Sequence, residues 1–132
     1  MMKTLQSVMG GLLAMGAATA AWAGQRVTYL VGVDTSAREA YGAIGAAHNS
    51  DDPIQFIGCS VYTFANGAPF MYCGARNESG SIGACQSSDP IFLDAARNVK
   101  ESSYIYFTWD DLGKCTYVLV NNSSYYVPKV AP

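Results

Sequence analysis

Alternation of apolar and polar residues is the dominant pattern along this chain, and it predicts a protein built mainly of β-strands. Successive side chains of a strand point to opposite faces, so such alternation indicates a sheet with one buried face. The connections between most of these segments are too short for a crossover, which makes the strands antiparallel. Six segments carry the pattern: 26–33, 54–64, 69–76, 82–87, 103–109 and 114–121.

One short helix interrupts the predicted strands. Asp89 fits an N-cap and Pro90 the first helical position, so a helix is predicted to follow them as far as residue 99. Residues 36–48 fit either a helix or a strand, because their first four residues resemble a capping box while Gly42 weakens a helix. The conformation of this segment is therefore left open.

The first 23 residues have the features of a cleavable export signal. Lys3 supplies a positive charge, residues 8–20 are apolar or small, and Ala21-Trp22-Ala23 fits a small-x-small cleavage site. We therefore predict a signal peptide over 1–23 and a single β-rich domain over 24–132, since a chain of this length has room for one core. The alanine-rich signal is of bacterial type, so the expected location is the periplasm or the medium.

The four cysteines predict two disulfides. Cys59, Cys73, Cys85 and Cys115 all follow the signal, and an even number in an exported chain is typical of a disulfide framework. Their spacing contains no Cys-x-x-Cys pair, and the chain has a single histidine, so no usual zinc ligand set is present. We expect no metal and no other cofactor.

Hairpin geometry is needed to choose the disulfide pairing, because loop-closure entropy favours two of the three possible pairings equally. A two-residue loop at Asn66-Gly67 would place Cys59 and Cys73 on opposite faces of the sheet. A three-residue loop in the next turn places Cys73 opposite Cys85, which leaves Cys59 for Cys115. We predict these last two pairs, although a three-residue first loop would instead place Cys59 opposite Cys73.

The predicted fold class is mainly β: an antiparallel sheet or small β-sandwich of six to seven strands with one short helix, braced by disulfides. Half of the residues are hydrophobic and 14% are charged, a composition that excludes a disordered chain. The formal net charge of −2 leaves no basic stripe for phosphates, so nucleic acid is not an expected partner. We expect no membrane span in the mature chain.

No motif in the sequence predicts catalysis. His48 is the single histidine, and no nucleophile motif such as Gly-x-Ser-x-Gly accompanies it. The acidic pairs Asp51-Asp52 and Asp110-Asp111 are the available candidates for a general acid and base. Aspartate is also favoured in turns for its local hydrogen bonds, and both pairs lie in predicted turns. We therefore predict no catalytic residues.

Tyrosines are the most informative side chains that remain. In the segment 103–109, alternation sends Tyr104 and Tyr106 to the face opposite the apolar one, and Tyr62 and Tyr117 are predicted to extend the same face. Tyrosine offers a flat apolar ring with a polar tip, which suits the binding of saccharides or proteins. The rival interpretation is that the predicted helix packs over these rings and makes them a second core layer.

The sequence therefore supports two hypotheses of function. The favoured one is a non-catalytic exported domain that binds a protein or saccharide surface, or has a structural role, through the four tyrosines. The alternative is a small secreted hydrolase or a hydrolase inhibitor. A hydrolase would need carboxyl groups that converge in a pocket, whereas an inhibitor would need a rigid protruding loop, for which residues 77–81 are the candidate.

Overall fold

The computed structural model describes residues 24–127, and the predicted export signal lies outside them. Seven strands, two helices and a final 3-10 turn follow one another in this part of the chain. Their bounds are β1 Gly32–Asp34, β2 Glu39–Ala43, α1 Ile44–His48, β3 Phe56–Phe64, β4 Gly67–Arg76, β5 Ile82–Ser87, α2 Pro90–Arg97, β6 Ser103–Trp109, β7 Cys115–Asn122 and the 3-10 turn Ser124–Tyr126.

The strands form two antiparallel sheets, which confirms the predicted fold class. One sheet has four strands in the order β1-β2-β6-β7, and the other has three in the order β3-β4-β5. Buried side chains from both sheets and from the two helices belong to one hydrophobic cluster. None of the helices in the described part of the chain is long and apolar enough to cross a membrane.

The first strand is much shorter than the alternating segment 26–33 suggests. β1 pairs with β2 over three residues only, and the residues before it make single hydrogen bonds to separate parts of the molecule. The amide of Val27 donates to the carbonyl of Tyr125, the carbonyl of Tyr29 accepts from Ala43, and the amide of Val31 donates to the buried Gln55 side chain. Alternation predicted a strand, but none of the strands described in residues 24–127 runs beside this stretch.

The segment that the sequence left open contains both a strand and a helix. Glu39–Ala43 forms β2, which pairs with β6 along its whole length, and Ile44–His48 forms α1. Arg38 before the strand has a positive φ of 57°, which completes the turn that connects β1 to β2. The alternation therefore describes the first half of the segment and the helical spacing describes the second.

The alternation predicted for 103–109 is confirmed in β6. Ile105 and Phe107 are completely buried, and Trp109 packs against the same core. The Trp109 ring also closes the space between the sheets, because a Cβ atom at Gly83 of β5 would lie 2.6 Å from it. A side chain at this position would displace the ring, so glycine lets β5 approach β6 closely.

The helix α2 begins as predicted and packs on the core. Asp89 is the N-cap, and its carboxylate accepts a hydrogen bond from the amide of Ile91, with Pro90 in the first turn. Leu93 and Ala96 are its buried residues, and its main contacts are with β3, β4 and β7. The helix therefore lies away from the side of β6 that carries Tyr104 and Tyr106.

The predicted disulfide pairing is wrong, because the first hairpin has a different register. Phe64 pairs with Gly67, and an irregularity then shifts the ladder by one residue, so that Cys59 lies opposite Cys73. The extra residue falls beside Pro69, which lacks the amide that a regular ladder needs and is therefore found at such bulges. The observed bonds are Cys59–Cys73 and Cys85–Cys115.

One half of the register prediction is correct even so. Cys73 does lie opposite Cys85, and with Cys59 the three cysteines form a row across β3, β4 and β5. Cys73 bonds to the first of its two neighbours, and Cys85 reaches across to Cys115 at the start of β7. The second disulfide therefore joins the two sheets, and none of the four cysteines is free.

Candidate functional site

The outer face of the four-stranded sheet brings together a group of tyrosines from three strands. Tyr41 of β2 pairs with Tyr106 of β6, and Glu39 pairs with Thr108 in the same ladder. Tyr117 of β7 pairs with Thr108 and so lies diagonally across from Tyr106. We call Tyr41, Tyr106, Tyr117 and Glu39 the tyrosine platform.

The rings of the platform lie close to one another and to the sheet. Tyr41 and Tyr106 are stacked, with ring centroids 6.3 Å apart and planes 14° apart, and Tyr117 meets Tyr106 edge-on at 5.8 Å. Tyr41 lies over Gly32 of β1, where a Cβ atom would come within 2.4 Å of the ring. Because glycine has no side chain, residue 32 lets the Tyr41 ring lie flat on the sheet.

A hydrogen bond connects the platform to its carboxylate. The Tyr106 hydroxyl donates to Oε2 of Glu39, and this bond, together with burial and the nearby negative charge, raises the pKa of Tyr106 to about 12. Tyr106 is therefore protonated at neutral pH, and its oxygen can still accept a hydrogen bond. The carboxylate retains acceptor capacity at Oε1, which has no hydrogen-bond partner among residues 24–127.

Polar groups extend the platform on one side. The hydroxyls of Thr108 and Thr116 lie 2.6 Å apart and are hydrogen-bonded to each other beside Tyr117. Tyr117 is the most exposed of the three rings, at 49%, and Tyr41 and Tyr106 are more deeply buried. The face thus combines flat rings, hydroxyl groups and one carboxylate, and α2 does not cover it.

Tyr104 lies on the same face but in a more crowded place. The centroid of its ring lies 5.1 Å from that of Tyr29 and 5.6 Å from that of Tyr126. Residues near the two ends of the described range therefore partly cover it. Burial is the largest cause that raises its pKa. The interpretation as a core layer thus fits Tyr104 in part, but the covering groups are tyrosines from the chain ends and not the helix.

Tyr62 is not part of this face, which corrects the sequence prediction. It belongs to β3 in the three-stranded sheet, where its ring stacks on Phe70 with centroids 4.7 Å apart. The structure therefore brings Tyr104, Tyr106 and Tyr117 together and places Tyr62 on the other sheet. Glu39 and Tyr41 were missed as site residues, and the signal that could have identified them was the alternation in the segment left open.

A polar cavity of about 360 Å³ has one of the acidic pairs, Asp51-Asp52, in its lining. Asp52 accepts hydrogen bonds from the amides of Ile54 and Gln55 and from the Gln55 side chain. These bonds lower the pKa of Asp52, with that of the Gln55 side chain as the largest cause. A general acid in glycoside hydrolysis needs a raised pKa, so the lowered pKa does not suit Asp52 to that role. Its hydrogen bonds to residues 54 and 55 hold the turn that contains it.

The other acidic pair also belongs to a turn. The Asp110 carboxylate accepts from the amides of Leu112 and Lys114, and Gly113 has a positive φ of 78° in the same loop.

His48 is exposed at the end of α1. Within residues 24–127, no group of three or more His, Cys, Asp or Glu side chains could hold a metal ion.

The loop proposed for an inhibitor is a well-ordered hairpin turn. The Asn77 side chain accepts from the amide of Ser81, and the amide of Gly80 donates to the Asn77 carbonyl, with φ of 91° at Gly80. Glu78 and Ser79 are exposed at its tip. Two hydrogen bonds therefore close the turn, and its tip is accessible to solvent.

No family model matches the chain, and neither the curated proteins nor the solved structures contain a match to it.

Proposed function

We propose that this chain is a non-catalytic, exported binding domain whose tyrosine platform binds a saccharide. The observation that carries the proposal is the stacked pair of Tyr41 and Tyr106 beside the Glu39 carboxylate. Flat aromatic rings pack against the apolar face of a sugar ring, and the carboxylate accepts hydrogen bonds from its hydroxyls. A few polar groups placed around an apolar surface are the usual composition of a site for a small ligand.

A saccharide fits this surface better than a protein does. A stable protein interface buries about 800 Å² on each partner and has an apolar centre. The platform consists of four side chains, and its polar groups reach its middle, where Tyr106 donates to Glu39. The threonine hydroxyls of Thr108 and Thr116 add further donors and acceptors at its edge. The ligand is therefore expected to be uncharged or cationic and rich in hydroxyl groups.

Isothermal titration with neutral oligosaccharides and with polysaccharide from the producing cells tests the proposal. Tyr41→Ala and Glu39→Gln should each weaken binding at least tenfold, because one removes a ring and the other a charged acceptor. Tyr62→Ala on the other sheet is the matched control and should leave the affinity unchanged. Unchanged binding by the Tyr41→Ala protein, or no binding to any saccharide, would contradict the proposal.

The proposed location is the periplasm or the medium, with cleavage after Ala23. Two disulfides are compatible with an oxidising compartment of this kind. The intact mass of protein recovered from cells that carry the full gene should correspond to residues 24–132, and no thiol should react in the unfolded but unreduced protein. A mass that includes residues 1–23 would contradict the signal prediction.

Inhibition of a hydrolase is a second candidate, because the turn at residues 77–81 is closed by hydrogen bonds and exposes Glu78 and Ser79. An inhibitor of this kind binds its enzyme through the loop tip and gains affinity from the rigidity of the loop. Inhibition assays against secreted proteases and glycosidases test this, with Glu78→Ala as the variant. Inhibition that this variant abolishes, without any saccharide binding, would favour the second candidate.

A further inference from the structure

The strand β3 is a free edge of the three-stranded sheet. It has nine residues, and β4 is its only hydrogen-bonded neighbour strand within the described part of the chain. Among residues 24–127, no backbone hydrogen bond joins β3 to a segment other than β4. Unpaired amides and carbonyls along an edge are a template for a further strand.

The disulfide shows which backbone groups of β3 face this edge. The Cα atoms of Cys59 and Cys73 are 4.0 Å apart, which is typical of the close, non-hydrogen-bonded pairs in an antiparallel ladder. The amide and carbonyl of Cys59 therefore point away from β4, and so do those of Ile57 and Val61 at the same parity. The edge presents a donor and an acceptor at every second residue.

Two of the usual devices that protect an edge strand, charged side chains and proline, are missing from β3. Its sequence from Phe56 to Phe64 contains no charged residue and no proline. Three large side chains of the strand also stand exposed on the outer face: Phe56 is 48% exposed, Tyr62 45% and Phe64 57%. An uncharged edge beside exposed rings favours association with another strand.

We propose that a second copy of this chain pairs with β3, antiparallel and two-fold symmetric, with the axis at Ser60. In this register each Cys59 pairs with Val61 of the partner subunit, and both residues direct their backbone groups to the edge. The two strands then overlap over their full length, with each Phe56 opposite Phe64 of the partner subunit. The result is a continuous six-stranded sheet.

The side chains of β3 complement one another in this arrangement. Each Tyr62 comes to lie opposite Gly58 of the partner subunit, and no atom lies within 4 Å of the place where a Cβ atom of Gly58 would be. The tyrosine ring can therefore occupy the space that glycine leaves open. At the axis Ser60 faces its own copy, and because β3 has no charges, no like charges are opposed.

The area available suits a weak dimer. A whole aromatic side chain buries about 200 Å², so the three half-exposed rings can supply at most about 600 Å² over both subunits. The backbone edge and the smaller side chains of the strand add to this and bring the interface to at most about 1,000 Å², the lower end for a specific contact. We therefore expect dissociation in the micromolar range.

Sedimentation equilibrium of the purified protein over a wide concentration range tests the dimer. The Ser60→Lys variant places two like charges together at the axis and should raise the dissociation constant at least tenfold. Ser36→Lys changes another exposed serine, in the turn before β2; it adds the same charge elsewhere and should leave the constant unchanged. A monomer at all concentrations, or a dimer that Ser60→Lys leaves intact, would overturn the proposal.

A cross-link tests the register directly. In a Ser60→Cys protein, the two new thiols face each other in a close pair and should join the subunits on oxidation, as seen by non-reducing electrophoresis. Ser36→Cys is the control and should give no linked dimer beyond that from random collision. Equal linking of the two variants would show that the pairing is not centred on Ser60.

Discussion

The outer faces of the two sheets are both rich in aromatic residues, but they differ in their polar surroundings. On the four-stranded sheet, Tyr106 donates to Glu39 and stacks on Tyr41. On the three-stranded sheet, Tyr62 stacks on Phe70 and no carboxylate accompanies it among the described residues of β3, β4 and β5. The exposed apolar side chains of that second face are Phe56, Tyr62, Phe64, Tyr72 and Ile82.

Both faces use glycine to lay a ring flat on a sheet, so the difference lies in what surrounds the ring. Tyr41 rests over Gly32, and Tyr72 rests over Gly74 in the same way. A ring with a hydrogen-bonded carboxylate beside it suits a ligand with hydroxyl groups, because the polar groups keep partners when water leaves. A ring without a carboxylate partner, beside an open strand edge, suits another protein chain.

The largest loss of stability is expected from substitutions in β6, the strand that separates the platform from the core. Phe107→Ala should reduce the free energy of unfolding by about 3–5 kcal/mol, because the ring is completely buried. Tyr106→Ala, its neighbour on the outer face, should cost about 1 kcal/mol, roughly the value of one hydrogen bond, since the site is half-exposed. Urea unfolding of the two variants checks this. Equal losses would mean that the platform is core.

The next effect concerns how the two sheets are held together. Removing Cys85–Cys115, which joins the sheets across 30 residues, should cost about 3.6 kcal/mol, against about 3 kcal/mol for Cys59–Cys73, which closes 14 residues. Double alanine variants and urea unfolding measure both values. Peptide mapping without reduction should release 59–73 and 85–115 as linked pairs, and a linked 73–85 pair would contradict the observed register.

A smaller effect, on saccharide affinity, is expected to differ between substitutions on the two sheets. Gly32→Ala should lift the Tyr41 ring, because the new methyl group would lie 2.4 Å from it, and saccharide affinity should fall about tenfold. Gly58→Ala in β3 has open space around the added methyl group and should leave that affinity unchanged. Titration calorimetry compares the two. A loss in both variants would show that the faces are not independent.

The hydrogen bond in the platform should appear in the pH dependence. The pKa of Tyr106 is raised from 10.0 to about 12, so the protonated form is favoured in the folded protein. Its contribution to stability is complete below pH 10 and is lost as the pH rises to about 12. The difference in unfolding free energy between the native protein and Tyr106→Phe should therefore shrink over that range. A constant difference would contradict the bond to Glu39.

The smallest effect is expected at His48. Its side chain is exposed at the end of α1, so His48→Ala should leave saccharide binding and any measured turnover nearly unchanged. Binding and activity assays of a variant with an intact circular dichroism spectrum check this. A hundredfold loss of turnover would instead favour a hydrolase.

Local signals in the sequence predicted most of the strands and the helix. The bounds of β5 and β6 agree with the alternating segments 82–87 and 103–109, and Asp89 caps α2 as expected. Alternation also separated Phe107 from Tyr106 in β6. These features depend on neighbours within a few residues, so the residues themselves contain the necessary information.

The features that the sequence missed depend on which strands become neighbours. Alternation in 26–33 suggested a long strand, but only Gly32–Asp34 finds a partner, because a strand exists only where another runs beside it. In the same way, Glu39 and Tyr41 joined the platform only when β2 paired with β6. Tyr62 has the same character as Tyr106, and sheet membership alone separates them.

The sequence by itself determined the class of the fold, the buried face of β6, the capped helix and the presence of two disulfides. Each of these follows from residue type and spacing, which act over one strand or one turn. The tertiary structure alone decided the disulfide pairing and the composition of the platform. A single bulge beside Pro69 shifts the register of β3 by one residue, and such a shift moves every side chain to the other face, so Cys59 meets Cys73.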